Sequence, residues 1–216
     1  MFTVRTAVML LFCGAVLGAS GCGLTRTEPG ETTQAAQAAQ EQVTCIGVLP
    51  AASARVPQGA AGEEKARSLR QGAETMDRLL RQELQGQASV HFVGQDLLAG
   101  LELTGGESPP ELARLVGERI GCNGVLETEV SRFAERDGGK YSVEAPAAVA
   151  FVFRLFAVDS GAVLWSATFD ETQTSVMENL YEWKKAKSRG FSWVTAEGLM
   201  LEGITAKLEQ SPYFRN

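Results

Sequence analysis

The chain has 216 residues, of which 44% are hydrophobic and 21% charged, enough apolar material for one folded core. Its net charge of −6 argues against the clustered basic surface that nucleic-acid binding needs, so we expect no nucleic-acid partner. The single histidine, His91, excludes two-histidine metal motifs, and no residue spacing predicts a metal or cofactor site. Composition therefore predicts one globular domain with appendages.

The amino terminus has the features of a signal peptide. Arg5 precedes an apolar run over residues 7–18, and small residues follow this run. The run is too short for a bilayer, which needs a helix of about 20 residues. Residues 1–21 are therefore predicted to direct export.

The segment Ala19-Ser-Gly-Cys22 resembles a bacterial lipobox. The resemblance implies that Cys22 is acylated, with palmitate or a similar chain, and becomes the new amino terminus. Cys13 is a poor rival because the bulky Phe12 precedes it. Gly23 stands where an Asp would favour the inner membrane in such lipoproteins, so we expect anchoring at the periplasmic face of the outer membrane.

Residues 22–42 predict a flexible tether between this anchor and the domain. The segment is rich in Thr, Glu, Gln and Ala, and Leu24 is its only large apolar residue. It cannot bury an apolar face. The folded domain is therefore predicted over residues 43–216.

The domain pattern predicts elements in the order β-α-β-α-β-β-β-α. Short apolar runs and turn residues predict five strands, at residues 43–50, 90–94, 124–136, 147–158 and 162–169. Apolar spacings of three and four predict a helix from about Glu63, and Ser108-Pro-Pro-Glu111 begins another that Gly121 ends. From Thr172 the pattern predicts a helix, then a break at Gly190, and then a last helix over residues 195–210.

This order predicts an α/β fold built on a mixed sheet packed with helices. Right-handed crossovers make the first three strands parallel, in the spatial order 2-1-3. The turn signals at residues 137–139 and 159–161 make the last three strands an antiparallel meander. The meander extends one side of a two-layer or three-layer domain.

Three strings carry a further resemblance: Ile46-Gly-Val-Leu-Pro50, Arg119-Ile-Gly-Cys-Asn-Gly-Val125 and Phe156-Ala-Val-Asp-Ser-Gly-Ala-Val-Leu-Trp165. Together they look like envelope lipoproteins with a CsgG-like or TolB amino-terminal-like domain. The resemblance implies a periplasmic assembly or adapter domain with no active site to carry over. Channel-forming members insert long hairpins, and the connection over residues 137–146 is too short for two membrane strands of about 9–11 residues each. We therefore expect no pore.

Cys45 and Cys122 open the first and third predicted strands. In the order 2-1-3 these strands are parallel neighbours, so their starts lie at one edge of the sheet, about 4.8 Å apart between strands. A disulfide is within reach, and an oxidising periplasm favours it. The alternative is that both residues are small buried hydrophobic side chains.

Glu127 and Glu129 alternate with Leu126, Thr128 and Val130 and share one face of a strand. Two carboxylates on one face are compatible with general acid and base chemistry. A half-exposed strand gives the same alternation, and we favour that interpretation. His91 has no acid at a helpful spacing and is expected to be a packed or edge residue, so no catalytic residue is assigned.

The segment over residues 181–193 concentrates aromatic and basic side chains in an otherwise acidic protein. Either its aromatic side chains pack at the edge of the core and its cations form a solvated face, or it presents an exposed surface to a partner protein, an anionic lipid headgroup or a cell-wall polymer. The candidate partner-binding residues are Tyr181, Trp183, Lys184, Lys185, Lys187, Arg189, Phe191 and Trp193.

The sequence as a whole predicts an outer-membrane-anchored lipoprotein that serves as a non-enzymatic adapter or assembly factor of an envelope complex. Its expected partners are the membrane, through the acylated Cys22, and an envelope protein, and self-association is left open. The alternative is an envelope enzyme that acts on peptidoglycan or glycan through carboxylates such as Glu127 and Glu129.

Overall fold

The computed structural model describes residues 43–57, 59–138, 143–173 and 194–214. Its strands are β1 (Ile46–Val48), β2 (Ala52–Ser53), β3 (Val90–Phe92), β4 (Gly124–Ala134), β5 (Asp137–Gly138), β6 (Val143–Ala145), β7 (Ala148–Ala157) and β8 (Val163–Thr172). Its helices are α1 (Ala60–Glu83), α2 (Gln95–Ala99), α3 (Pro109–Ile120) and α4 (Ala196–Gln210). No helix among these residues is both long enough and apolar enough to cross a membrane.

The main sheet has the strand order β3-β1-β4-β7-β8, with β2 pairing beside β1 on β4. Strand β1 is parallel to both neighbours, and Ile46 lies opposite Val90 on one side and Gly124 on the other. Strands β4, β7 and β8 are antiparallel. The predicted mixed sheet, parallel in the order 2-1-3 and extended by an antiparallel meander, is confirmed.

Helices cover both faces of this sheet, so the domain has three layers. On the first face, α1 and α4 pack on all the longer strands through apolar side chains that include Leu69, Met76, Leu80, Leu126, Phe153, Leu199 and Ile204. On the second face, α3 packs on β1, β4 and β7 through a smaller cluster that includes Ala113, Val116, Val125, Phe156 and Val158. The larger core therefore lies on the first face.

The boundaries of α3 follow from local sequence chemistry. Ser108 and Glu111 form a capping box, in which each side chain accepts a hydrogen bond from the backbone amide at the other position, and Pro109 opens the helix. Gly121 ends it in the left-handed conformation with φ of 73°. These were the signals from which the helix was predicted.

Other boundaries differ from the prediction. Helix α1 begins at Ala60, about one turn before Glu63, and β8 continues to Thr172, where the pattern had predicted helix. Strand β2, helix α2 and the β5–β6 ladder were not predicted as elements. Each has five residues or fewer, too few for a hydrophobic period to show. The helix predicted from Thr172 to the break at Gly190 lies outside the described residues beyond Gln173.

The structure pairs Cys45 and Cys122 in a disulfide, with the two Cα atoms 4.8 Å apart. The bridge closes a loop of 77 residues, for which the chain-entropy model gives a stabilisation of about 4.5 kcal/mol. It ties the start of β1 to the start of β4. Cys13 and Cys22 lie outside the described residues, as do the predicted signal peptide and tether.

Two glycines of α4 provide a test of how closely this helix approaches the sheet. A Cβ added to Gly203 would lie 2.8 Å from the ring of Phe169, whereas one added to Gly198 would make ordinary contacts of 3.4 Å or more. We expect Gly203→Ala to lower the free energy of unfolding by about 1–3 kcal/mol. Gly198→Ala, the control in the same helix, should be neutral or gain up to about 1 kcal/mol, because alanine favours helix. Chemical denaturation measures both, and equal effects would contradict close packing at Gly203.

Asp77 of α1 holds the chain between β1 and β2, where its Oδ1 accepts a hydrogen bond of 2.7 Å from the amide of Ala51. Burial raises the pKa of the Asp77 carboxyl above its ordinary value, and the Ala51 amide and Arg81 oppose this only in part. A raised pKa means that the folded chain binds more protons than the unfolded chain. The contribution of Asp77 to stability therefore falls as pH rises from 3.8 through the folded pKa.

Asp77→Asn removes this titration and retains an oxygen that can accept the Ala51 hydrogen bond. We expect the stability of the variant relative to the native chain to be greater at about pH 7 than at about pH 3. Urea denaturation at the two pH values measures the difference. A relative stability that is constant or falls with pH would contradict the assignment.

Candidate functional site

The part of the second sheet face that α3 leaves uncovered is polar, and we call it the polar face. Its side chains lie in three rungs across β4, β7 and β8: Glu127–Arg154–Ser166, Glu129–Val152–Thr168 and Arg132–Ala150–Asp170. On β8, exposed Ser166, Thr168 and Asp170 alternate with residues that turn toward the core. The polar face follows from strand alternation, because the opposite set of side chains is needed for the core.

Arg154 is the central residue of the polar face. Its guanidinium donates a hydrogen bond of 3.0 Å to Oε2 of Glu127. It donates two longer hydrogen bonds, of 3.3 and 3.4 Å, to Oε2 of Glu129. The side chains of Arg154 and Glu127 are 32% and 17% exposed, so this pair is partly shielded from water, while Glu129 is 37% exposed. The hydrogen bond to Glu127 is the largest factor that raises the pKa of Arg154, so the guanidinium stays charged.

A second ion pair crosses the sheet one rung further along. Arg132 on β4 pairs with Asp170 on β8, and both flank the small Ala150 on β7. Without a long side chain at Ala150, the guanidinium can reach across the middle strand. The register shift between Val130 and Arg132 is what turns Arg132 toward this face.

The structure confirms that Glu127 and Glu129 share a strand face, but it gives them a common cation. Their carboxylate oxygens accept hydrogen bonds from Arg154 and are directed along the sheet surface. Sequence reasoning missed Arg154 and its role. The available signal was a lone charged residue in the otherwise apolar strand β7, which requires a partner or an outlet to water.

Concave surface is found at the other side of the domain. A pocket of about 480 Å³ lies between the end of α1 and β3, where Arg81 stacks 4.7 Å from the ring centre of Phe92. A smaller pocket of about 350 Å³ lies between α1 and α4, where Glu83 accepts a hydrogen bond of 3.0 Å from Thr205. Glu127 and Glu129 line neither pocket.

His91 and the disulfide cysteines lie at the opposite end of the sheet from the Arg132–Asp170 pair. His91 is exposed on the edge strand β3, in agreement with the prediction of an edge residue. Cys45 is half-buried and Cys122 buried. The parallel pairing brings these three side chains together.

The predicted partner-binding residues over 181–193 lie outside the described residues, but their attachment points are described. Gln173 donates its amide to Ala147 at the end of β8, and Ala196 at the start of α4 donates to the carboxylate of Glu135. Ala147 and Glu135 adjoin the ends of β7 and β4. The segment therefore leaves and rejoins the domain at one end of the sheet, opposite the disulfide.

Comparison with solved structures finds several distant likenesses to this chain. The chain is similar to the PelC dodecamer from Paraburkholderia phytofirmans, with 17% identity over 81% of this chain and 89% of that chain and a TM-score of 0.46. It is also similar to the LpoB C-terminal domain from Salmonella enterica, with 18% identity over 61% and 84% of the two chains and a TM-score of 0.36.

A third solved structure, lipoprotein GNA1162 from Neisseria meningitidis, is 14% identical over 68% of this chain and 97% of that chain, with a TM-score of 0.32. No family model matches the sequence, and no curated protein matches it. These likenesses concern the fold, and the sequences are too distant to transfer a function or a site residue.

The Arg154 ion pairs lead to a prediction about stability. Arg154→Met leaves Glu127 and Glu129 on one strand face without their cation, and we expect a loss of about 1–2 kcal/mol. Adding Glu127→Gln to this variant should restore part of the loss, because one carboxylate charge is removed. Arg114→Met is the control, since the Arg114–Glu118 pair on α3 is about half exposed and should contribute about 0.5 kcal/mol or less. Equal losses at Arg154 and Arg114 would contradict the central role of Arg154.

Proposed function

We propose that this chain is an outer-membrane-anchored lipoprotein of the periplasmic face that acts as a non-enzymatic adapter or assembly factor in an envelope complex. The predicted signal peptide, the lipobox-like segment ending in Cys22 and the polar tether support the anchoring. The likeness of three sequence strings to CsgG-like and TolB amino-terminal-like domains supports the adapter role.

The observation that carries the proposal is the separation of the two attachment ends. Residues 22–42 join the domain at Val43, beside Cys45 and the disulfide. Residues 174–193 join it at the far ends of β4, β7 and β8. Strand β4 has 11 residues, so about 35 Å separates the two ends. A domain with its anchor at one end and its aromatic, basic segment at the other suits a bridge between a membrane and a partner.

The polar face supports a binding protein over the alternative of an enzyme acting on peptidoglycan or glycan. An acid and base pair must direct its carboxylates at a bound substrate. Glu127 and Glu129 instead share Arg154 along the sheet surface. Both carboxylates are thus paired with one guanidinium, an arrangement that stabilises the surface.

The anchoring is tested by fatty-acid labelling in cells. We expect the native chain to incorporate a clickable fatty acid and Cys22→Ala to lose the label, because acylation of Cys22 is the predicted attachment. Cys13→Ala is the matched control and should keep the label. Label that survives in Cys22→Ala would contradict the lipobox assignment.

The partner segment is tested by charge replacement. Changing Lys184, Lys185, Lys187 and Arg189 together to Gln should leave the unfolding temperature nearly unchanged and reduce crosslinking to envelope proteins in intact cells. The control replaces four exposed cations elsewhere in the domain with Gln: Arg55, Lys65, Arg67 and Arg70. Equal crosslinking by the two variants, or unfolding of the first, would assign the basic segment a structural role.

A further inference from the structure

Three side chains with metal-binding atoms meet where the three parallel strands begin. The sulfurs of Cys45 and Cys122 and a ring nitrogen of His91 all lie within 4.8 Å of one another. The disulfide accounts for the two cysteines but not for the imidazole beside them. His91 is exposed, so the cluster has a side open to solvent.

The sheet register explains why these residues meet. His91 on β3 lies opposite Gly47 on β1, and Cys45 is two residues before Gly47, so alternation directs Cys45 to the same face. Cys122 enters this face directly after Gly121 ends α3. Gly47 contributes no side chain between the cysteine and the imidazole, and Ile120 of α3 packs over Gly47 on this face.

The backbone holds Cys45 in place independently of the disulfide. The Oδ1 atom of Asn123 accepts hydrogen bonds of 3.0 Å from the amide of Thr44 and 3.1 Å from the amide of Cys45. The amide of Gly124 donates a hydrogen bond of 3.0 Å to the carbonyl of Cys45. Asn123 is the residue next to Cys122, so the two cysteines stay neighbours when the sulfur–sulfur bond is broken.

We propose that Cys45, His91 and Cys122 form a redox-gated site for a thiophilic d10 metal ion, with Zn²⁺ as its model. Two thiolates and one imidazole are ligands that this class of ion prefers, and three protein ligands leave a fourth tetrahedral position for water or another ligand. Bonds of about 2.3 Å to sulfur and about 2.0 Å to nitrogen place such ligands about 3.5–3.8 Å apart. The three ligand atoms lie within 4.8 Å of one another, so binding requires only a small approach of the exposed His91 and separation of the two sulfurs once their bond is broken.

The chemistry has two steps. A dithiol reductant transfers two electrons and two protons to the disulfide, which gives two cysteine thiols and the oxidised, cyclic disulfide of the reductant. The metal ion then displaces the two thiol protons and bonds to both thiolates and to the neutral imidazole of His91. A disulfide oxidant reverses both steps: it accepts two electrons from the two thiolates and takes up two protons to become a dithiol, while the Cys45–Cys122 bond re-forms and the ion is released. The disulfide and the metal are therefore mutually exclusive.

The test measures Zn²⁺ binding to the full-length chain in detergent, by competition with a chromophoric chelator. One sample is oxidised, and the other is reduced with a dithiol that is then removed without oxygen. We expect one Zn²⁺ per reduced chain and none per oxidised chain. Co²⁺ bound to the reduced chain should show thiolate-to-metal charge-transfer absorption. His91→Ala and Cys45→Ser should each weaken Zn²⁺ binding by about tenfold or more, since even loss of a residue that only orients a ligand costs about 10–100-fold.

The control variant replaces the two other cysteines, Cys13 and Cys22, with Ser and should bind Zn²⁺ as the native chain does. Failure of the reduced native chain to bind, equal binding by the oxidised chain, or undiminished affinity in His91→Ala would overturn the proposal. Circular dichroism follows the fold throughout. If reduction unfolds the chain, refolding on addition of Zn²⁺ supports the site, and a chain that stays unfolded with Zn²⁺ overturns it.

Discussion

The parallel pairing of β1 between β3 and β4 is the constraint on which the rest of this domain depends. The chain crosses from β1 to β3 through α1 and from β3 to β4 through α3. Because β3 and β4 lie on opposite sides of β1, these two crossovers run in opposite directions across the sheet. Because both are right-handed, their helices lie on opposite faces. Helix α1 accordingly packs into the core of the first face and α3 into that of the second. The three layers and the clustering of strand starts both follow.

The second face has an apolar part under α3 and a polar part beyond it, because α3 is short. Its 12 residues cover β1 and the near halves of β4 and β7, and added Cβ atoms on Gly47 and Gly117 would collide with Ile120 and Val158. This close approach gives the smaller core its dense packing. Beyond the helix, the same strands continue without cover, and their side chains change from apolar to paired charges. The Arg154 and Arg132 ion pairs therefore occupy the surface that α3 cannot reach.

The two ends of the sheet differ in chemistry as well as in position. The end where the parallel strands start carries two cysteine sulfurs joined by a covalent bond and the imidazole of His91 beside them. At the far end, the amide of Gln173 donates a hydrogen bond to the carbonyl of Ala147, and the amide of Ala196 donates one to the carboxylate of Glu135. The segment over residues 174–193 is attached to the domain at this end. The proposed anchor and the proposed partner segment thus attach to the domain at opposite ends of the strands.

The sequence by itself determined the elements whose signals are local or periodic. The capped start and glycine end of α3, the amphipathic stripe of α1 and the alternation of β8 each depend on neighbours within a few residues, so their existence and type could be predicted. The strand order followed from crossover handedness, a rule that needs no side-chain detail. The same strand order predicts that Cys45 lies beside Cys122.

Apart from the two cysteines, only the tertiary structure decided which distant side chains meet. Arg154 gained its two carboxylates through antiparallel register, and Arg132 reached Asp170 because a register shift in β4 turned it to the polar face. His91 lies 46 residues after Cys45 and 31 before Cys122, so no motif spacing links them. Their meeting depends on parallel strands that start at one edge. Such pairings are set by the packing of whole elements, and a single residue pattern carries no information on them.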